Sequence, residues 1–283
     1  MSTAKAARAR LSTFHGSPTF AIGIFFTSFI FIVALVSLIW SPYKLDDTTG
    51  NRLEGPNATH LLGTDTLGRD LLSQLMVGAR IAMKVGFGAT GIALIIGCFL
   101  GLLAAFFPGW IDDTLASIFD TLIAFPTLLL AMLIIAAEGA SLWAAILAIG
   151  IAASAIVSRI VRILTKRILA QQYVVAAKTC GTSRWEILRG HVLPNLWPTL
   201  IVNLAIIYGV AVLTEAGLSY LGLGAPPPSY SWGRLLREAQ STVLTAPLGA
   251  IAPGIAIILL VLGMNFVADG LRELFDPTQR GNS

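Results

Sequence analysis

The residues of this chain that suggest chemistry are a glycine-rich stretch, three histidines and one carboxylate inside an apolar run. Residues 86–91 read Gly-Phe-Gly-Ala-Thr-Gly, the spacing of a dinucleotide-binding fingerprint. That fingerprint needs a strand before it and a helix opening after it, whereas this stretch lies inside a long apolar run. We therefore interpret these glycines, with Gly97 and Gly101, as small residues that let another helix approach closely.

The histidines and cysteines do not indicate a metal centre or a nucleophile. His15, His60 and His191 fall in three separate segments, with no metal-ligand spacing between them. The sequence contains neither a GxSxG stretch nor a GxxxxGK[ST] phosphate loop, so we expect no ATP hydrolysis by this chain itself. Cys98 and Cys180 are expected to be free thiols. The sequence thus predicts no catalytic residue, no metal and no cofactor bound by this chain.

Glu215 is the clearest ionisable residue inside an apolar run. A carboxylate in lipid costs several kcal/mol unless it faces a cavity or a partner. Acid/base catalysis needs a second group, and none accompanies it. We interpret Glu215 as part of a transport path or of a helix-packing contact.

The elements that carry these residues are predicted to be membrane helices. Of the 283 residues, 55% are hydrophobic and 12% charged, too few charges to cover a soluble globule of this size. Hydrocarbon offers no partner for unpaired backbone groups, so the spans must be helices. The sequence therefore predicts an all-α polytopic membrane protein with six transmembrane helices. Six apolar runs have spanning length: 20–39, 85–107, 118–137, 142–161, 200–221 and 251–267.

The positions of lysine and arginine predict that both termini are cytoplasmic. With the N-terminus inside, twelve of the nineteen basic residues fall on the inner side. The run 20–39 is longer than the apolar part of a signal peptide, so we expect it to remain as a helix. Although the net charge is +4 and the pI is about 9.3, the basic residues are scattered among apolar runs. This distribution argues against nucleic acid as a partner.

This topology divides the chain into tails, one outer loop and a helical core. Within the core we expect a long inner loop at 165–198, because a connection of that length usually has a function. The predicted parts are a cytoplasmic tail 1–19, a first transmembrane helix 20–40, an outer loop 41–80, a core of five helices 81–271 and a cytoplasmic tail 272–283.

The inner loop is predicted to contain an amphipathic helix–turn–helix. Trp185, Leu188 and Val192 recur at helical spacing, and Pro194 and Pro198 are expected to end that helix. Small residues before the turn permit tight docking, and a glycine permits a sharp turn. Such a segment is suited either to a partner protein or to the headgroup layer.

The same loop resembles the EAA loop of the permease subunits of bacterial ABC importers. The matching positions are Ala176, Ala177, Gly181, Leu193 and Pro194. Val175 stands where many relatives carry glutamate, so this position lacks the family's carboxylate. In that family the loop forms a coupling helix in a cleft of the ATPase, and the resemblance implies the same role for these positions.

Further stretches are similar to the dipeptide/oligopeptide/nickel permeases of the DppC/OppC type. Residues 120–126, 215–224, 231–233 and 276–277 match, and the resemblance covers about residues 60–280. A GTDxxGRD-like signature in the outer loop comprises Gly63, Thr64, Asp65, Gly68, Arg69 and Asp70.

Three positions in these stretches also allow predictions from the residues alone. Asp70 is expected either to cap a helix that begins at Leu71 or to contact substrate. Pro126 is expected to kink the third span, where it either lines a pathway or serves packing. Trp232 is expected to occupy an ordinary position in the aromatic belt.

The resemblance implies the type I ABC importer (MetI-like) permease fold and ATP-driven import of peptides across the bacterial cytoplasmic membrane. The implied partners are a homologous second permease subunit, two ATPase subunits that bind ATP and Mg, an extracytoplasmic solute-binding protein and membrane lipid. Nickel or another metal chelate, or glutathione, is an alternative cargo for the same machinery.

Two other classes of protein remain as alternatives. An ion-gradient-driven secondary transporter requires symmetric halves with broken helices and paired acids at mid-membrane, whereas Glu215 stands alone well inside a span. A structural membrane scaffold leaves the long inner loop without a role.

Overall fold

The computed structural model describes residues 18–226 and 229–275, which form α-helices joined by loops. A π-helical turn (Leu188–Val192) joins two of the helices, and the described residues contain one isolated β-bridge, between Thr64 and Asp70. The helices are α1 (Pro18–Ile39), α2 (Leu71–Phe106), α3 (Trp110–Ala124), α4 (Thr127–Glu138), α5 (Leu142–Leu169), α6 (Gln172–Thr179), α7 (Arg184–Ile187), α8 (Leu193–Tyr220), α9 (Trp232–Ala239) and α10 (Leu248–Phe275).

The apolar helices account for the six predicted spans. Five are long and apolar enough to cross a bilayer: α1, α2, α5, α10 and the continuous rod from Arg184 to Tyr220. The bent pair α3 and α4 provides the sixth, so the all-α fold is confirmed with its third span in two pieces. Most of the predicted terminal tails and Asp276-Pro277 lie outside the described residues.

The second span is longer than its apolar run. Helix α2 begins at Leu71, so residues 71–80, assigned to the outer loop, form its first turns. The run 85–107 marks only its apolar part, because the first turns carry polar side chains that pack inside the protein. One of them, Gln74, is fully buried.

Helices α2 and α5 run parallel and touch along a row of glycines. A Cβ atom on Gly97 would lie 2.5 Å from the Cβ of Val157, and one on Gly101 would lie 2.5 Å from the carbonyl oxygen of Ser158. Gly150 of α5 approaches Ile92 in the same way. Neighbouring backbones can come this close only where a side chain is missing. The predicted helix-packing role of the glycines in α2 is therefore confirmed at Gly97 and Gly101.

Helices α1 and α10 form an antiparallel pair on the other side of the bundle. Gly23 lies against Val267, and Gly263 lies against Thr27, so this contact also depends on small residues. Helix α8 lies between the two pairs. It packs on α10 and α2 through a buried cluster that includes Tyr208, Val212, Leu260, Ile257 and Met83.

The third span breaks at Pro126. Phe125 is extended, with φ −81° and ψ 134°, because the proline ring disfavours a helical conformation in the preceding residue. Pro126 then starts α4 with φ −55°, and the axes of α3 and α4 differ by 95°. The kink predicted at Pro126 is confirmed and is a full break in the helix.

Candidate functional site

Residues 170–192, here called the turn segment, form a compact helix–turn–helix after α5. Helix α6 ends in a Schellman motif: Gly181 has φ +85°, its N–H donates to the carbonyl of Lys178, and the N–H of Thr182 donates to the carbonyl of Ala177. Glycine adopts this left-handed conformation without steric cost. The sharp turn predicted at Gly181 is therefore present.

Helix α7 is fixed at its start by a capping box. The Ser183 hydroxyl accepts from the N–H of Glu186, and the Glu186 carboxylate accepts from the N–H of Ser183 at 2.8 Å. Hydrogen bonds therefore fix both the end of α6 and the start of α7, and they hold the two helices in one relative geometry.

Three valine and isoleucine side chains anchor the turn segment to the bundle. Val174, Ile187 and Val192 are almost completely buried and pack with Val161 of α5 and Leu196 of α8. The turn segment thus cannot shift without disturbing the ends of α5 and α8.

The surface of the turn segment that faces away from the bundle is apolar and basic. Val175 is 47% exposed and Trp185 is 62% exposed, and Ala176 and Lys178 are also exposed. The sequence predicted a buried face of Trp185, Leu188 and Val192. This prediction is wrong at Trp185, which is exposed, because Ile187 is the residue of α7 that packs into the bundle. An exposed tryptophan beside small residues favours contact with a protein partner.

The prediction that Pro194 and Pro198 end a helix is wrong. Pro194 lies in the first turn of α8, and Pro198 lies inside it. The helix continues from Arg184 through the π-helical turn at 188–192, whose wider hydrogen-bond spacing accommodates Pro194 without ending the helix. Leu193 and Pro194 are both exposed, beside the surface of the turn segment.

An ion cluster around the buried carboxylate of Asp112, with half-buried Arg162 and Lys166, ties α3 to α5 near the turn segment. The Asp112 carboxylate accepts from Arg162 Nε at 2.6 Å and from Arg162 Nη2 at 3.1 Å, and it also binds Lys166. Asp112 is 5% exposed. This cluster was not predicted from the sequence, whose only signal for it is a pair of basic residues one helical turn apart and an acidic residue at a helix start.

At the other end of the bundle, the GTDxxGRD-like segment is a scaffold of turns. Gly63 and Gly68 have φ +84° and +78°, and each lies against the backbone of the 50–54 stretch. Asp65 accepts from the N–H groups of Leu67 and Arg69 at 2.7 and 2.9 Å. Thr64 links the two halves of the loop by accepting from the N–H of Glu54.

Asp70 is the N-cap of α2, as predicted. Its Oδ2 accepts from the N–H and the hydroxyl of Ser73 at 2.8 and 2.7 Å. Its Oδ1 lies 3.0 Å from Nδ1 of His60, which stacks on Tyr43. One buried carboxylate therefore joins the loop 40–70 to the helix start.

Arg69 connects this scaffold to the segment before α9. Its guanidinium donates to the Tyr230 hydroxyl, and Arg234 lies over the Tyr230 ring at 5.0 Å from its centroid. Burial raises the pKa of Tyr230, so the phenol stays neutral and accepts this bond.

Glu215 is buried near the start of α9. It is 2% exposed and accepts from Ser219 at 2.6 Å. The Ser231 hydroxyl caps α9 by accepting from the N–H of Arg234. Gly233, at the start of α9, lies against the carbonyl of Ala216, next to Glu215 in α8.

The belt position predicted for Trp232 is wrong. Its side chain is 2% exposed, its indole Nε1 donates to the carbonyl of Leu75 at 3.0 Å, and its ring fills the space beside Gly78. A long-range contact of this kind has no local signal in the sequence. In residues 18–226 and 229–275, no group of three or more His, Cys, Asp or Glu side chains is placed to hold a metal ion.

Comparison with known proteins identifies relatives over most of the chain. The profile of the family described as binding-protein-dependent transport system inner membrane component matches residues 93–281. The dipeptide transport system permease protein of Alkalihalophilus pseudofirmus is 40% identical, over 91% of this chain and 84% of that protein. The glutathione transport system permease protein of Pectobacterium atrosepticum is 37% identical, over 88% of this chain and 85% of that protein.

Solved structures confirm the permease fold. The methionine ABC transporter MetNI in inward-facing conformations aligns with a TM-score of 0.59 at 18% identity, covering 73% of this chain and 98% of that chain. An amino acid ABC transporter aligns with a TM-score of 0.54 at 21% identity, covering 71% and 92%. This chain therefore belongs to the family of binding-protein-dependent transport system inner membrane components, and it is a multi-pass membrane permease of that family.

Proposed function

We propose that this chain is a permease subunit of an ATP-driven importer that carries peptides across the bacterial cytoplasmic membrane. The support is the 40% identity to a dipeptide permease over most of the chain, together with the turn segment. Both termini lie in the cytoplasm, and so does the turn segment with its basic residues.

The observation that carries this proposal is the exposed surface of the turn segment. Val175, Ala176 and Trp185 are exposed apolar residues on a short helix pair whose other side is buried in the bundle. A rigid, protruding helix pair of this kind fits a groove on another protein. We assign that groove to an ATPase subunit, two of which hydrolyse ATP with Mg and drive this chain and a homologous second permease.

The proposed mechanism transmits motion from the ATPases to the spans. Closure of the ATPases on ATP moves the turn segment, and its buried anchors carry the ends of α5 and α8 with it. The spans then rock between inward-open and outward-open arrangements. A solute-binding protein delivers cargo at the opposite end, where the loop 40–70 presents Leu61 and Leu67.

Glutathione is the second cargo to test, because a glutathione permease is 37% identical over most of the chain. A thermal shift of the cognate binding protein with dipeptides, longer peptides and glutathione distinguishes these cargoes. We expect a larger rise in melting temperature with peptides. A rise with glutathione alone would reassign the cargo and leave the ATP-driven mechanism intact.

A change at Gly181 tests the contact with the ATPase. Gly181→Glu places a bulky charge on the exposed turn, where a Cβ meets open space within this chain. We expect solute-stimulated ATP hydrolysis and uptake to fall at least about tenfold, the effect of losing a central interface contact. The measurement is both activities in proteoliposomes that contain the whole complex.

Gly139→Glu is the matched control for this experiment. Gly139 has φ +88°, ψ 155° and open space around its Cβ position, so a side chain there is at least as strained as at Gly181, but it lies at the opposite end of α5. Uptake should stay near wild type in this variant. Wild-type coupling in Gly181→Glu would contradict the assignment.

A further inference from the structure

The ion cluster of Asp112, Arg162 and Lys166 joins two elements that the proposed mechanism must move. Asp112 lies in the first turn of α3, and the two basic residues lie in the last turns of α5. Arg162 binds the carboxylate through two nitrogens, at 2.6 and 3.1 Å, which fixes the angle between the side chains as well as their distance. The contact is therefore a rigid joint.

The position of the carboxylate strengthens this joint. Asp112 lies at the N-terminus of α3, where the helix dipole favours a negative charge. Its side chain is 6% exposed, whereas those of Arg162 and Lys166 are 21% and 39% exposed, so solvent screens this pairing less than it screens a fully exposed ion pair. A second pair, Arg159 with Asp120, lies farther along the same two helices at 3.6 Å, but both of its side chains are more than half exposed. The cluster around Asp112 is thus the better shielded of these two ion-pair links between α3 and α5 in the described residues.

Helix α5 is continuous with the turn segment, and helix α3 ends at the break in the third span. Helix α5 continues through Leu169 directly into the turn segment, and Val161 packs with Val174. Helix α3 leads to the 95° break at Pro126. A displacement of the turn segment that moves the end of α5 also moves α3 if the ion cluster holds, and the break then absorbs the change of angle.

We propose that Asp112, Arg162 and Lys166 are positioning residues that make α3 and the end of α5 move as one body. Movement of the turn segment then reaches the broken third span. This proposal rests on the proposed function. It differs from a purely stabilising contact because it predicts an effect on the amount of solute moved per ATP hydrolysed.

A reversible bridge tests this proposal. In a chain with Cys98→Ser and Cys180→Ser, the pair Asp112→Cys and Arg162→Cys removes the joint, and a bis-methanethiosulfonate reagent replaces it with a covalent link. We expect the unbridged complex to hydrolyse ATP in response to loaded binding protein with uptake per ATP reduced about tenfold. Bridging should restore uptake, and reductant should remove it again.

The opposite results would overturn the proposal. Wild-type coupling in the unbridged pair shows that the joint is dispensable, and failure of the bridge to restore uptake shows that the two helices move separately. The pair Asp120→Cys and Arg159→Cys is the control on the same helices. It should keep near wild-type coupling with or without the bridge, because an exposed ion pair contributes little.

A charge exchange provides a second test if the chain with Asp112→Cys and Arg162→Cys does not assemble into the complex. Arg162→Asp alone buries like charges and should abolish coupling, whereas Asp112→Arg with Arg162→Asp restores opposite charges and should recover it. No recovery in an assembled double variant would overturn the proposal. Wild-type complex that shows no solute-stimulated ATP hydrolysis would instead contradict the proposed function, so the two failures are distinguishable.

Discussion

Single side chains in this protein often hold together segments that are distant in sequence. Asp70 caps α2, binds His60 and accepts from the Ser73 hydroxyl, so one carboxylate organises the loop 40–70. The cap was predictable because it depends on neighbouring residues. The burial of Trp232 against Gly78 and the pairing of Asp112 with Arg162 were not, because their partners lie far along the chain.

Removal of the Asp70 carboxylate should destabilise this end of the bundle. Asp70→Ala loses the cap and leaves His60 buried without its partner, so we expect a loss of about 1–2 kcal/mol in the free energy of unfolding. The measurement is the thermal unfolding midpoint of the purified complex in detergent. Asp47→Ala, at an exposed loop position, should leave that midpoint unchanged. Equal midpoints for the two variants would show that the cap does not stabilise the fold.

Helices are the part of the structure that the sequence predicted best. Each apolar run of spanning length falls on a helix or on the broken pair, because a backbone in lipid must satisfy its own hydrogen bonds. The extension of α2 to Leu71 and the course of α8 through Pro198 were missed. Polar first turns inside the protein and a proline after a π-helical turn do not follow simple apolar patterns.

The contact between α2 and α5 depends on missing side chains. Gly97→Val places a Cβ 2.5 Å from the Cβ of Val157, so the helices must separate. We expect the free energy of unfolding to fall by about 1–3 kcal/mol. The thermal unfolding midpoint of the complex measures this loss. Gly91→Val lies on the same helix with open space around its Cβ position and should change the midpoint little. A larger loss at Gly91 than at Gly97 would contradict the packing described for these helices.

At the scale of the whole molecule, the α-helical bundle carries the rigid turn segment at one end and the ordered loop 40–70 at the other. The turn segment is fixed by buried Val174, Ile187 and Val192, and the loop 40–70 is fixed by Asp70 and its neighbours. The turn at Gly181 and the cap at Asp70 were predicted from the sequence, and both are present. They did not reveal the ion cluster between α3 and α5, which links the turn segment to the broken span.

The side of the membrane on which the turn segment lies is the most direct test of this account. Cys180 is exposed, so in a Cys98→Ser chain it reports its own location to a membrane-impermeant maleimide. Leu61→Cys, in a Cys98→Ser, Cys180→Ser chain, gives the control position on the opposite side, since Leu61 is 64% exposed in the loop 40–70. We predict no labelling of Cys180 in intact cells, labelling in inside-out vesicles stripped of ATPase, and protection when ATPase is added back. Labelling of Cys180 in intact cells, at the rate seen for Leu61→Cys, would contradict the account.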